Sequence, residues 1–402
     1  MKTKKIKSIG VSMAFVGAMF LFFTPYEDTV SNTMWPKYFA ALVGSLFLAP
    51  ILILKPLKLH SASLFIVFML FAIITHLLLI HPISFQFDLL VMANCFLAIL
   101  IFELSRVWKY EFEIALKGLL CANVIAIGVQ AFMFFFGGGE IYDVYRFIFG
   151  SDSRFSSEYL NIARFSGMQV EPGTYANYIS FLLAIFLLTS RFAQWKYIFS
   201  VLVILSILLT NSASAIFLSF AITLMLALVW GNYINKLHIV SLLVVVVLYF
   251  LFSNIVEHMH ARFLENDDGS LSLRMTGLQS YLATSLESKV IGLGFGHEPC
   301  FECHYQDIGV IFNLVSSGGI LLVFVIFIVA YRSLMLNGFW LAFVIFAIVS
   351  YSKMNFYETP VWLLFLFSMI KLRDRRNWRE KFDFPVTENS SISGSFFDKK
   401  VV

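Results

Sequence analysis

The sequence predicts an all-α, polytopic integral membrane protein of about twelve transmembrane helices, with two long loops on the outer side. Three observations lead there. Hydrophobic residues make up 59% of the 402 positions and charged residues 13%, against roughly 45–50% and about 25% in soluble domains. Apolar runs of about 15–23 residues recur along the whole length, and each can cross a hydrocarbon core of about 30 Å as a helix. The runs are solid rather than alternating, which argues against a strand-built barrel.

The first run follows Met1-Lys-Thr-Lys-Lys-Ile-Lys7 and looks like a signal peptide. It has no clear small-residue cleavage site before Thr24-Pro25, so it reads as an uncleaved first helix. The predicted spans are 8–23, 38–54, 62–80, 87–102, 114–136, 175–188, 197–210, 214–230, 239–255, 308–330, 339–351 and 360–370. Thr210-Asn-Ser-Ala-Ser214 is either a loop tip or a break inside one bent segment. Most Lys and Arg residues fall in 1–7, 55–60, 103–113, 189–196, 231–238, 331–338 and 371–402. The positive-inside rule puts those segments, and both termini, in the cytoplasm. Residues 1–370 then form one membrane domain of the cytoplasmic (inner) membrane, and 371–402 a basic cytoplasmic tail. Its start, Lys371-Leu-Arg-Asp-Arg-Arg376, suits anionic headgroups, and its Ser-rich end from Glu388 has the composition of disorder.

Two outward loops stand out, about 137–174 and about 256–307. Long loops in a compact protein are functional or disordered, and these hold too many aromatic and apolar residues for simple linkers. The working surface is therefore expected at the outer face. The first loop ends in Arg164-Phe-Ser-Gly-Met-Gln-Val-Glu171-Pro-Gly-Thr-Tyr-Ala-Asn-Tyr178. Pro172 suits a first helical position, so Glu171 falls at the helix start. Glu171, Tyr175 and Tyr178 share a face by their spacing, which predicts a carboxylate and two phenols at the outer mouth. The alternative is that Glu171 simply caps the helix.

Arginine is the other recurring feature: Arg146, Arg154 and Arg164 in the first loop, Arg262 and Arg274 in the second. Its planar fork of donors matches phosphate oxygens. No ATP is available outside the membrane, so a lipid diphosphate is the natural anion there. Any single one of these arginines could instead pair with an acidic loop residue. The second loop also carries Gly292-Leu-Gly-Phe-Gly296. No predicted strand precedes it, so it reads as a re-entrant turn rather than a nucleotide loop. Gly318-Gly319 in the following helix suits close packing.

The octet Cys300-Phe-Glu-Cys-His-Tyr-Gln-Asp307 admits several chemistries. Cys-x-x-Cys-His is the c-type haem signature, but no folded domain surrounds it to bury a porphyrin. Cys300, Cys303 and His304, with His297 or His258/His260, could hold zinc, although the spacing matches only half of a standard site. An oxidising compartment also permits a Cys300–Cys303 disulfide, which would stiffen the loop presenting His304. Cys95 and Cys121 fall inside predicted helices as small apolar fillers.

Taken together, "RFSGMQVEPGTYANY", "TNSASAIFLSF", "SLRMTGLQSYL", "IGLGFG" and "HYQDIGVIFNLVSSGGIL" resemble the Wzy-type O-antigen polymerases. The O-antigen ligases share much of the pattern. The likeness covers most of residues 100–350. It implies a metal- and cofactor-independent glycosyltransferase that joins undecaprenyl-diphosphate-linked oligosaccharide repeat units into O-antigen or a related surface polysaccharide. Its implied partners are that lipid-linked glycan, the bilayer and a chain-length regulator protein, with no nucleic acid. The resemblance implies that loop arginines grip the diphosphate, which makes Arg164, Arg274 and Arg154 the substrate-binding candidates, and Tyr175 and Asp307 join them as polar groups at the outer mouth. Arg164 and Glu171 match the first signature, and Arg274 the second loop's arginine. His304 matches the histidine that ligases place before the corresponding helix, although Tyr305-Gln306 stands where ligases tend to show Asn directly after it. Imidazole can accept a hydroxyl proton near neutrality, so the reading leans to His304 as base and Glu171 as a group positioning the acceptor or an arginine, with Glu171 as the alternative base. An O-antigen ligase, another lipid-linked glycan transferase and a polysaccharide flippase are the alternatives. A transporter would place ionisable groups at mid-membrane and show repeated halves. Asp88, Glu103 and Lys117 fall near span ends instead.

Overall fold

The computed structural model describes residues 2–23, 35–54, 59–80, 85–153, 163–252, 269–294, 308–352, 354 and 358–371. These residues are helical almost throughout, with no strand among them. Five helices are long and apolar enough to cross a membrane: Leu89–Val107, Lys109–Phe136, Pro172–Thr189, Ala213–Trp230 and Val310–Asn337. Shorter apolar helices fill the remaining predicted spans: Lys7–Phe23, Phe39–Leu54, Ser61–His76, Gln194–Leu208, Lys236–Tyr249, Phe339–Tyr351 and Thr359–Ser368. Exposed Phe68, Phe96, Phe132, Phe327 and Trp340 lie on the outside of the bundle. That much bare aromatic surface suits lipid, not water.

The full helices are α1 (Lys2–Phe23), α2 (Trp35–Leu54), α3 (Ser61–Ile80), α4 (Phe85–Val107) and α5 (Lys109–Phe136). A short α6 (Val144–Phe149) follows in the first loop, then α7 (Pro172–Thr189), α8 (Gln194–Leu208), α9 (Ala213–Trp230) and α10 (Lys236–Phe252). The second loop holds α11 (Gly269–Ala283) and α12 (Leu286–Ile291), and α13 (Val310–Asn337), α14 (Phe339–Tyr351) and α15 (Thr359–Ser368) close the chain. The stretch at Thr210–Ser214 is a tight helix–helix turn, with Asn211 in the left-handed region at φ 48°.

Polar contacts sort the helix ends into two groups. At one end, Ser8 donates to Glu111 at 2.8 Å, the backbone N–H of His60 donates to Glu103 at 2.6 Å, and Lys196 pairs with Glu113 at 2.5 Å. At the other, Tyr351 stacks on Phe217 with centroids 4.0 Å apart, and the Gln169 amide donates to the carbonyl of Phe23. Successive long helices therefore alternate in direction, and residues 163–171, which lead into α7, lie at the second end, called here the loop end.

Helix α7 is the centre of the bundle. It packs on α9, α15, α5 and α8, and 89% of its apolar window is buried inside the protein. A helix apolar on all sides needs neighbours on all sides. Helix α13 is broken at Gly319, where φ is 56° and ψ −146°. The second loop docks at that break: Leu293 N–H donates to the Ser316 carbonyl at 2.8 Å and Gly294 N–H to the Ser317 carbonyl at 2.9 Å. The two glycine motifs thus meet each other. A Cβ on Gly292 would lie 2.4 Å from the Ser317 oxygen, and one on Gly319 2.3 Å from the Val290 oxygen.

Candidate functional site

The loop end is built around the segment that enters α7. Residues 165–170 of the first loop are buried in the bundle, an unusual place for irregular backbone. Buried backbone needs partners, and Gln130 of α5 supplies them. Its Oε1 accepts from Ser166 N–H at 3.1 Å and Gly167 N–H at 2.7 Å, while its Nε2 donates to the Tyr142 carbonyl at 2.9 Å. One amide ties both ends of the first loop to the same helix. Gly167 adopts φ 59° with the Tyr175 ring against it, so that a Cβ there would lie 2.9 Å from the ring.

Arg164 stands half-buried at the edge of this turn. The neighbouring Ala163 carbonyl accepts from Asn211 Nδ2 at 2.6 Å, and Asn211 Oδ1 in turn accepts from the phenol of Tyr249 in α10. Glu171 is the N-cap of α7, followed by Pro172 as expected, yet its side chain makes no cap hydrogen bond. Among the described residues its half-buried carboxylate has no hydrogen-bond partner. Its Oε1 lies 3.5 Å, and Ser214 Oγ 3.9 Å, from the point that a Cβ on Gly173 would occupy. The starts of α7 and α9 therefore meet at Gly173, and a hydroxyl chain runs back from it. Ser214 Oγ is 3.1 Å from Ser212 Oγ, which is 3.3 Å from Thr210 Oγ1.

The two tyrosines differ from the expected pair of phenols at the mouth. Tyr175 is fully buried, its hydroxyl 2.9 Å from Ser206 Oγ in α8. Since α7 has neighbours all round, a shared face on it is not an exposed face. Tyr178 is also buried, and its phenol donates to the carboxylate of Glu358, just before α15. Sequence reasoning missed Glu358, Gln130 and Asn211. A lone glutamine in the apolar run of α5 and a Glu-Thr-Pro helix start were the available signals.

Of the loop arginines, Arg146 lines an open cleft of about 540 Å³ with Glu140, Tyr142, Asp143 and Phe147. It pairs with Asp152 at 3.2 Å, both side chains well exposed, a kind of pair that contributes little. Arg274 lies on α11, and the same helix touches α13 through Tyr281 and Phe312, rings 5.3 Å apart. Arg154, His304 and Asp307, with Cys300, Cys303 and the tail beyond 371, lie outside the described residues, as does Arg262. The structure therefore brings Arg164 and Glu171 to one end of the bundle and leaves the assembly with His304 unaddressed. Among the described residues no group of His, Cys, Asp and Glu could hold a metal ion. Cys95 is buried in α4, whereas Cys121 is exposed on α5.

No protein-family model matches the chain, and no curated protein does.

Proposed function

We propose that this protein is an integral membrane glycan polymerase of the Wzy type. On this reading the chain crosses the cytoplasmic membrane about twelve times, both termini are cytoplasmic, and the loop end faces outward. The substrate is an oligosaccharide repeat unit on undecaprenyl diphosphate. Arg164, Arg274 and Arg154 hold the diphosphate, whose developing charge fixed cations stabilise. Glu171, with Asp307, orients the acceptor sugar. His304 takes the acceptor hydroxyl's proton, the oxygen bonds to the donor's anomeric carbon, and the diphosphate leaves with the electron pair. A chain-length regulator is the expected protein partner.

The observation that carries this reading is the state of Glu171. It occupies a capping position without capping, beside the half-buried Arg164 and the buried turn 165–170 that Gln130 ties down. A carboxylate with only a structural role would be expected to satisfy its own helix start.

The test is a surface-polysaccharide ladder from cells whose chromosomal copy is deleted and replaced by wild type, Arg164→Ala, Arg274→Ala, Glu171→Gln or His304→Ala, with membrane expression checked. The expected result is a single repeat unit on the acceptor after deletion, with no ladder restored by the variants. Bare core with long chains left on the lipid carrier would indicate a ligase. An untouched ladder would sink the glycan reading.

A further inference from the structure

Helices α14 and α15 are short, 13 and 10 residues, about 20 Å and 15 Å against a core of about 30 Å. The described residues between them, Ser352, Met354 and Glu358, are not helical, and Ser352 and Met354 are buried. Tyr178 is the seventh residue of α7, about 9 Å below its start, and its side chain leans back toward that start. The Tyr178–Glu358 hydrogen bond therefore sets the head of α15 one to two turns inside the bundle. Thr359 anchors the same point from the other side, donating to Asn94 Oδ1 of α4 at 2.8 Å.

Irregular backbone at membrane depth is tolerated where it is buried in protein or lines a polar cavity. An ionisable side chain at that depth points to function. Glu358 has both features. Its carboxylate does not cap α15, and it is half-buried where its partner Tyr178 is 4% exposed. Glu358 is thus the accessible member of the pair, and Tyr178 holds it in place. The arrangement repeats that of Glu171, another glutamate at a helix start with Pro at the first turn and no cap bond.

We infer that Glu358 is a second carboxylate of the loop-end site, binding hydroxyl groups of the acceptor sugar, with Tyr178 as its positioning residue. A carboxylate accepts hydrogen bonds from two adjacent sugar hydroxyls, the chemistry that a neutral acceptor offers.

This inference rests on the polymerase reading. Its test is steady-state polymerisation by the purified full-length protein in proteoliposomes, with polyprenyl-diphosphate-linked repeat units from the parent cells as probe. Wild type is compared with Glu358→Gln, Glu358→Asp and Tyr178→Phe, each with its thermal midpoint measured. Glu358→Gln is expected to raise KM about tenfold or more, the scale of one lost hydrogen bond to a charged group, with kcat reduced no more than about threefold. Glu358→Asp should recover part of the loss, and Tyr178→Phe should raise KM by a smaller factor. If Glu358→Gln does not fold, Glu358→Asp and Tyr178→Phe decide by the same KM criterion. A wild-type KM overturns the inference. So does an unchanged KM with the acid limb of the kcat profile lost, which would make Glu358 the proton acceptor. An inactive wild type would end the polymerase reading and this inference with it, whereas an active wild type with an indifferent Glu358→Gln ends this inference alone.

Discussion

The two ends of the bundle hold their helix-end carboxylates differently. At the basic end, buried acids are fully engaged with neighbours. Glu113 is shared by Lys196 at 2.5 Å and Lys117 at 3.3 Å, and both lysines approach the Trp195 ring. Glu103 takes Arg106 at 2.6 Å, the Ser63 hydroxyl at 2.5 Å and the His60 N–H. At the loop end, Glu171 leaves its own helix uncapped and Glu358 takes a phenol from Tyr178, while Gln130, Asn211 and the glycine joint at Gly319 serve loop backbone. Charges that answer each other build a scaffold. A carboxylate held in place but left unanswered is available to something else.

That contrast can be broken most forcefully at Glu113. Removing it leaves two cations together in a mostly buried site, and losing one member of such a group costs about 3–5 kcal/mol. Glu113→Ala should lower the thermal midpoint of the detergent-solubilised protein severely or prevent its accumulation. Glu171→Gln should stay within about 0.5 kcal/mol of wild type. Equal losses at both sites would erase the distinction between the ends.

The glycine joint comes next. Gly319→Ala forces a Cβ against the Val290 carbonyl and a side chain into a conformation that suits glycine. Overpacking costs about 1–3 kcal/mol, and the backbone strain adds a similar amount. The expected signature is local: protease cleavage appearing between α12 and α13 while the rest of the bundle stays resistant. Protection equal to wild type would show that the second loop does not depend on this joint. Gln130→Ala should cost about 1–3 kcal/mol by leaving the Ser166 and Gly167 donors unsatisfied, read as faster hydrogen exchange at those two amides. Exchange unchanged at Ser166 and Gly167 would mean that other groups hold the turn.

The apolar helices were legible in the sequence because an apolar helix announces itself as a solid run, and each of the twelve expected segments overlaps a helix, five of them long enough to cross a membrane. The kinked geometry of α13 was partly legible, since Gly318-Gly319 marks a close approach, but not what approaches. Its partner, Gly292–Gly294, lies more than twenty residues earlier and bonds through backbone, which leaves no side-chain pattern to read. Distance along the chain hid the site as well. Tyr178 and Glu358 are 180 residues apart, and Gln130 reaches Ser166 across 36. Helical spacing read Glu171, Tyr175 and Tyr178 as one face at the mouth, yet could not say that Tyr175 would meet α8 and Tyr178 the head of α15.

The gentlest way to sharpen the comparison is pH. His60 precedes α3 at the basic end, and its Nδ1 accepts from Ala62 N–H at 3.1 Å, which requires the neutral ring. Burial lowers its pKa below the ordinary 6.5, Arg106 and Arg332 lower it further, and Glu103 opposes them. A histidine depressed in the folded state binds fewer protons there than in the unfolded chain, so its contribution is fully present above about 6.5 and is lost as pH falls through the folded value. Stability should therefore decline on acidification more steeply in wild type than in His60→Asn, which keeps an acceptor for Ala62 but does not titrate. Thermal midpoints of both proteins at pH 7.5 and 5.0 give the comparison directly. Other groups titrate in both proteins and cancel in the difference. Parallel pH profiles would mean that the cations around His60 are neutralised locally, and that the basic end is less tightly coupled than its ion pairs suggest.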